Sequence, residues 1–294
     1  MSIDKPFDRQ LRRLRRDRAA RAPEERRYLH RLAADELIER LSWVKREFRQ
    51  VLNIGDPYIA GPLRSQGFDV LSTDAGRLFA RANGGMQCEE DGLPYQDGRF
   101  DLVTSVGVLD TVNDLPGALA LIRRSLRPDG LFLAAFAGAG SVPRLRSAML
   151  AAEEAEGLPA SPRIHPQIDV RAAGDLLVRA GFALPVVDSE TLTIRFSSFG
   201  ALISDLRSMA ATNMLVERSR QPLGRIALAA AIARFAQDAE PDGKVPERFD
   251  ILYLSGWAPS PDQPKPARRG SASHSLADAL AKAAPPKGAP RASG

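Results

Sequence analysis

The stretch VLNIGDPYIAGPL, Val51–Leu63, decides the fold. It opens with a short apolar run, interrupted by Asn53, that ends at Gly55, and from there a helix-like run follows. A buried strand that meets a glycine turn and passes into a helix is the first half of a βαβ unit. FDVLST, residues 68–73, supplies the next strand, with Asp74 directly after it. Missing between strand and helix is the glycine ladder that usually lets backbone approach a nucleotide. After Gly55 stand Asp56 and Pro57, and a proline has no N–H to donate and a fixed φ.

Working outward, the alternation continues. A helix is expected near 76–82, a short strand near 86–88, the strand FDLVTSV, the helix LPGALALIRRSL and the strand GLFLAAF. Each strand is a short apolar run suited to burial on both faces, and each helix is short and amphipathic. This predicts an α/β domain with a mostly parallel, doubly wound sheet. Beyond Gly138 the sequence predicts an inserted helix within about 139–168, a helix over VRAAGDLLVRAGF, one or two strands in PVVDSETLTIRF, helices at 199–209 and 224–237, and a last strand FDILYLSGWA. Upstream, Phe7, Leu11 and Leu14 recur at helical spacing among arginines, so FDRQLRRLRRDRAA forms a short amphipathic helix and PEERRYLHRLAADELIERL a longer one. The expected organisation is a basic helical arm or lid over 1–48, the α/β domain over 49–258, and a mostly disordered Pro/Ser/Ala-rich tail over 259–294.

Charge follows this organisation. Residues 1–31 hold 11 Lys/Arg against 5 Asp/Glu and residues 259–294 hold 6 against 2, leaving 24 against 29 for the centre despite the overall +5. A nucleic-acid enzyme carries its basic surface on the folded body, so nucleic acid is not an expected partner. The basic ends suit an acidic protein or a peripheral contact with lipid headgroups. No apolar run reaches the 18 residues of a membrane span. The single cysteine, Cys88, and three scattered histidines give neither a disulfide framework nor a metal cluster, which fits a reducing compartment. Asp4, Asp8 and Asp17 break the acid-poor pattern of a transit peptide.

In an open α/β sheet the ligand lies beyond the carboxyl ends of the strands. The residues there are Asn53, Gly55 and Asp56 after the first strand, Asp74 after the second, Glu89, Glu90 and Asp91 after the third, and Ser105 to Asp110 after the fourth. Asp74 lies 19 residues beyond Gly55, close to the spacing at which an acid meets a ribose diol. A helix N-cap is an equally good reading of Asp74 taken alone. A dehydrogenase is disfavoured by the absent GxGxxG.

LPYQDGRFD, Leu93–Asp101, and LALIRRSLRPDGLF, Leu119–Phe132, resemble the segments that lead into strands four and five of class I S-adenosylmethionine-dependent methyltransferases. FDRQLRRLRRDRAA, VNDLPG and the tail RRGSASHSLADALAKAAPPK are similar to a narrower family, the methyltransferase-like assembly factors of respiratory complex I, related to the malonyl-carrier-protein methyltransferase of biotin synthesis. The resemblance spans roughly residues 7–287. It implies a Rossmann-like fold, S-adenosyl-L-methionine as cofactor, and cofactor contacts from Asn53, Gly55, Asp56, Asp74, Glu89, Glu90 and Ser105. Glu89 and Glu90 would meet the adenine amine and Asp74 the ribose. It also exposes departures: Asn53 replaces an acid, the first loop is two residues short, and Asp110-Thr111 stands where relatives tend to carry His-Trp. The loss of two or three contacts of about 1 kcal/mol each would weaken binding about ten- to a hundredfold.

The resemblance implies a methyltransferase-like protein acting in complex I assembly on a protein client, a complex I subunit. Its site is the bacterial cytoplasm, or the mitochondrial matrix side in a eukaryote. A non-catalytic scaffold or assembly chaperone and an arginine-hydroxylase-like factor stay open beside it. Methyl transfer needs positioning more than a base, so no catalytic residue is assigned, and Asp110 is read as a cap or loop carboxylate.

Overall fold

The computed structural model describes residues 5–82, 84–157, 161–261 and 263. From residue 264 onward the expected tail, with its SLADAL segment and His274, lies outside the described residues.

The apolar runs of the sequence become seven strands: β1 Gln50–Gly55, β2 Asp69–Asp74, β3 Met86–Gln87, β4 Phe100–Val106, β5 Leu126–Ala137, β6 Ala183–Phe196 and β7 Val245–Trp257. They form one sheet in the order β3-β2-β1-β4-β5-β7-β6. The first five are parallel, while β7 runs antiparallel to both β5 and β6. The fold class is therefore a Rossmann-like class I methyltransferase architecture, as expected. PVVDSETLTIRF forms one strand, and the last strand starts earlier than its apolar core, at Val245. In β5 the RPDG motif bulges out of register between Leu126 and Leu131, with Asp129 at φ 64, which lets the chain turn from helix into strand with little linker.

The nine helices of the described residues are α1 Arg9–Ala19, α2 Tyr28–Ser42, α3 Ala60–Ser65, α4 Arg77–Ala82, α5 Leu115–Ser125, α6 Pro143–Ala155, α7 Val170–Arg179, α8 Phe199–Ser208 and α9 Arg225–Ala236. Alternate strand residues feed two cores. On one face Val51, Leu102, Leu131, Leu133 and Ala135 pack against α2, α6, α8 and α9. On the other, Leu52, Val103, Phe132 and Ala134 meet α5 and α7. The period-2 alternation with both sets buried is what a parallel sheet between helical layers requires.

Two details position the site. Helix α2 belongs to the first core through Leu29, Ala33, Ala34, Leu37 and Leu41, so the second predicted helix is a structural layer. Helix α1 buries Arg12, Arg16 and Ala19, residues one helical face apart, and leaves Leu14 half exposed. Of the stripe expected to be apolar, Phe7 and Leu11 pack with Met214 and Leu215 and Leu14 is left out, while the buried face also carries two guanidiniums. Its start is clamped: Phe7 N–H donates to Asn113 Oδ1 at 2.8 Å, Asn113 Nδ2 returns a bond to the Phe7 carbonyl at 3.1 Å, and Asp8 caps the helix through the Leu11 N–H. FDRQ and VNDLPG, distant in sequence, are thus one contact.

Because Leu37 is buried in the sheet core, Leu37→Ala should cost about 2–5 kcal/mol in urea unfolding. A loss within about 0.5 kcal/mol would mean that α2 is peripheral.

Candidate functional site

The carboxyl ends of β1 to β3 deliver Asp56, Asp74, Glu89 and Glu90 to one edge of the sheet, all of them buried, where the arginines of the arm fill the hollow between them. Several carboxylates sharing a dry pocket repel one another and lose hydration, so they require cations. The N-terminal arm supplies them.

Arg12 is 1% exposed. Its Nη1 donates to Glu89 Oε2 at 2.9 Å and Glu90 Oε2 at 2.8 Å, its Nη2 to Glu90 Oε1 at 2.9 Å and the Val108 carbonyl at 3.1 Å, and its Nε to Thr111 Oγ1 at 3.1 Å. A guanidinium has five N–H donors, and all five are used. Burial would lower its pKa, but Glu90, Glu89 and Asp74 outweigh burial and raise it. One turn on, Arg16 grips Asp74 with two nitrogens, Nε at 3.1 Å from Oδ1 and Nη2 on Oδ2. Arg27 donates to Asp56 Oδ2 at 3.1 Å, and His30 Nδ1 lies 2.9 Å from the same oxygen. The guanidiniums of Arg16 and Arg27 lie 4.7 and 5.1 Å from the centre of the Phe79 ring, a cation–π arrangement that holds them apart. Burial alone would raise the Asp56 carboxyl, but the His30 bond and the charges of His30 and Arg27 bring it down to about 2.

Glycines allow these approaches. Gly55 has φ +99, and a Cβ there would meet the Val106 carbonyl oxygen at 2.6 Å; a Cβ at Gly107, φ +66, would lie 2.4 Å from His30 Nε2. At Gly76 the obstacle would be Arg16 Cβ at 2.5 Å, so α1 lies hard against the turn after Asp74.

Of the residues expected to meet a cofactor, Asp74, Glu89 and Glu90 line the hollow together. Asp74 also accepts the Gly76 N–H at 2.6 Å, which closes the turn before α4. Asp56 caps the turn at Pro57 through the Tyr58 N–H, 3.0 Å. Asn53 is turned into the loop, donating to the Asp56 carbonyl at 3.1 Å and accepting from Thr104 Oγ1 at 3.2 Å. Ser105 is buried, and its Oγ has no partner among the described residues. Asp110 is raised by burial, against the lowering influence of His30 and Arg12. Among the described residues no group of His, Cys, Asp and Glu could hold a metal ion, and no helix is long and apolar enough to cross a membrane.

The sequence reading missed Arg12, Arg16, Arg27, His30 and Thr111. The available signal was Arg12, Arg16 and Ala19 on one helical face beside a set of strand-end acids with no cations of their own. Thr111 departs from the aromatic residue of the resembled pattern, and the departure has a use: a hydroxyl accepts from Arg12, whereas an indole only donates.

The chemistry of the acids fits an adenosyl group, whose ribose hydroxyls and amine are donors. The space does not, because the oxygens of Asp74, Glu89 and Glu90 are already bound by Arg12, Arg13 and Arg16. A nucleoside would take these carboxylates only in exchange for guanidiniums of α1.

Comparison with known proteins agrees with this architecture. A family described as Methyltransferase domain matches residues 59–134. Arginine-hydroxylase NDUFAF5, mitochondrial, of Danio rerio is 33% identical over 285 residues, 92% of this chain and 88% of the relative. Malonyl-[acyl-carrier protein] O-methyltransferase of Laribacter hongkongensis is 30% identical over 269 residues, 83% and 87% of the two chains. Among solved structures, the YcgJ protein of Bacillus subtilis has the same fold at a TM-score of 0.53 and 14% identity, covering 78% of this chain and 99% of that one.

The Asp56 contacts carry a pH signature. Its pKa in the fold, about 2, lies below the ordinary 3.8, so its stabilisation is complete above about pH 4 and disappears as pH falls through about 2. Asp56→Asn should cost about 2 kcal/mol at pH 7, and the gap to wild type in thermal unfolding should close on acidification toward pH 2. A gap that stays constant would show that the Asp56 charge is not what holds Arg27 and His30.

Proposed function

This chain belongs to the class I S-adenosylmethionine-dependent methyltransferase superfamily and, within it, to the family of the complex I assembly factor NDUFAF5; from that premise we propose that it acts on a protein client, a subunit of respiratory complex I, with helix α1 serving as a gate over the cofactor pocket. S-adenosyl-L-methionine is the cofactor of this class of domain. The observation that carries the reading is the convergence of Asp74, Glu89 and Glu90 in one hollow where the strands end, each engaged by a displaceable cation of α1.

The gate follows from the chemistry of the exchange. Nothing in the hollow is apolar fill that would have to be melted; guanidiniums of α1 leave and ribose and amine donors take over their acceptors. Opening costs free energy because the arginines lose fully formed charged hydrogen bonds. A cofactor that binds only the open form has its affinity reduced by the open fraction, so the intact chain is a weak binder by construction. A client that pulls α1 away would tighten cofactor binding, coupling chemistry to the presence of the client.

A second reading rests on the same contacts. The acid hollow is already a guanidinium site, and the relatives at 33% identity are named arginine-hydroxylases, so a client arginine would be received where Arg12 or Arg16 now lies. In that case α1 stands in for the client, and the two occupants compete.

Calorimetric titration with S-adenosylhomocysteine separates these outcomes. The Arg12→Gln/Arg16→Gln variant should bind at least about tenfold tighter than wild type, and adding Asp74→Ala should abolish the gain. A double variant that binds no better would remove the gate, and an Asp74→Ala variant of unchanged affinity would remove the ribose contact.

A further inference from the structure

A cavity of about 740 Å³ lies beside the acid hollow, with α1 and α2 along one side and α6, α8 and residues 211–223 along the other. Its walls are aliphatic and thioether side chains, among them Leu29, Ala33, Val142, Leu145, Met149 and Leu206. This size is that of a small-molecule site, and the apolar lining calls for an apolar occupant. Several titratable groups face it. His165 accepts the Met214 N–H on Nε2 at 3.1 Å and is pushed down to about 4, first by burial and then by Arg15, so its imidazole is neutral at pH 7. Asp110 is raised by burial, Arg163 is paired with Glu153 at 2.8 Å, and Arg16 with Asp74.

At the rim, where α1 meets α8, the balance is different. Arg15, Arg207 and Arg218 all line the cavity. Arg218 has Asp8 at 3.2 Å, while Arg15 and Arg207 have no acidic partner among the described residues. Arg15 donates from Nη1 to Thr212 Oγ1, yet its buried Nε has no partner. It is pulled down to about 10 by burial and by the charges of Arg218, Arg18 and Arg207. Elsewhere in this protein each buried guanidinium of the arm is matched to an acid. Here like charges are gathered at the mouth of an apolar chamber with an unfilled donor between them, which is the arrangement that an anion relieves.

We infer that this cavity binds a single-chain anionic amphiphile, its carboxylate or phosphate head between Arg15, Arg207 and Arg218 and its hydrocarbon tail along the apolar walls. A bare anion would leave the chamber empty. A cationic amphiphile would meet three guanidiniums. The cavity adjoins the acid site, since Arg16, His30 and Thr111 also line it, but the inference requires no chemistry performed at the acids.

The test uses the full chain in calorimetry below the micelle concentration of each ligand: laurate, dodecyl phosphate, dodecyltrimethylammonium with the same tail and the opposite charge, and inorganic phosphate with no tail. Laurate and dodecyl phosphate should each bind at one site, at least about tenfold tighter than the cation or inorganic phosphate. The tighter of the two identifies the head as that of a fatty acid or of a lipid phosphate. Arg207→Gln, at an exposed helix end, should weaken both anions about five- to tenfold and leave the cation unaffected. Ile203→Trp, which fills the chamber, should abolish tail-dependent binding. The inference is overturned if the cation binds as tightly as the anions, if inorganic phosphate matches dodecyl phosphate, or if Arg207→Gln and Arg15→Gln, with unchanged melting, both leave the anions unaffected. Should Ile203→Trp fail to fold, the Arg207→Gln comparison still decides.

Discussion

The interaction on which this structure depends is the grip of Arg12 and Arg16 on the acids at the strand ends. Asp74, Glu89 and Glu90 are brought together by the topology of the sheet, since parallel strands deliver their following residues to one edge. Once buried there they need positive charge, and the α/β body supplies little of it at that edge. Helix α1 carries the charge in, with its N-terminus fixed by the Phe7–Asn113 clamp and its far end resting on the turn at Gly76. The N-terminal segment therefore completes an electrostatic site. The buried pairs lend specificity more than stability, because desolvating the ions offsets much of their attraction.

That division of labour makes the two N-terminal helices unlike each other. Helix α2 is fixed by apolar packing on the sheet, through residues such as Ala34 and Leu37, and leaves only with the core. Helix α1 is held by two small apolar clusters at its ends and by charge along its middle, and the charge is exchangeable with any ligand that offers the acids equivalent donors. The Asp56–Arg27–His30 contact lies at the junction, where the helix that stays meets the helix that can leave. The same segment that seals the acid hollow also supplies Arg15 to the rim of the neighbouring cavity, so both chambers share one wall.

The sheet was legible because its information is local: Val51–Ile54, Phe100–Val106 and Leu131–Phe136 each announce a buried strand by an apolar run, and RPDG announces the bulge that opens β5. The acids were legible by position, since each follows its strand directly. The pairing of charges was not. Periodicity selects Phe7, Leu11 and Leu14 on α1, and Phe7 and Leu11 do pack with Met214 and Leu215, yet the sheet edge offers carboxylates and the buried face of the helix carries Arg12 and Arg16. Which face a helix buries is set by what lies beneath it, a non-local fact. Glu247 is similar: a charged residue ahead of the apolar run of the last strand, it is wholly buried and accepts the Arg144 and Leu145 N–H groups at 3.2 and 2.8 Å, capping α6 from a hundred residues away.

The shortened first loop also finds its place in this account. With Asp56 and Pro57 in place of glycines, the loop gives up donors to a cofactor and gains an acid that ties it to α2 through His30. The hollow is guarded by the arm more than by the loop, since Tyr58 turns outward to Asp35. The most direct measurement is amide hydrogen exchange of α1 with and without saturating S-adenosylhomocysteine. Exchange of guanidiniums for ligand predicts faster exchange over residues 9–19 and unchanged protection in α2; bound ligand with α1 equally or better protected would contradict it.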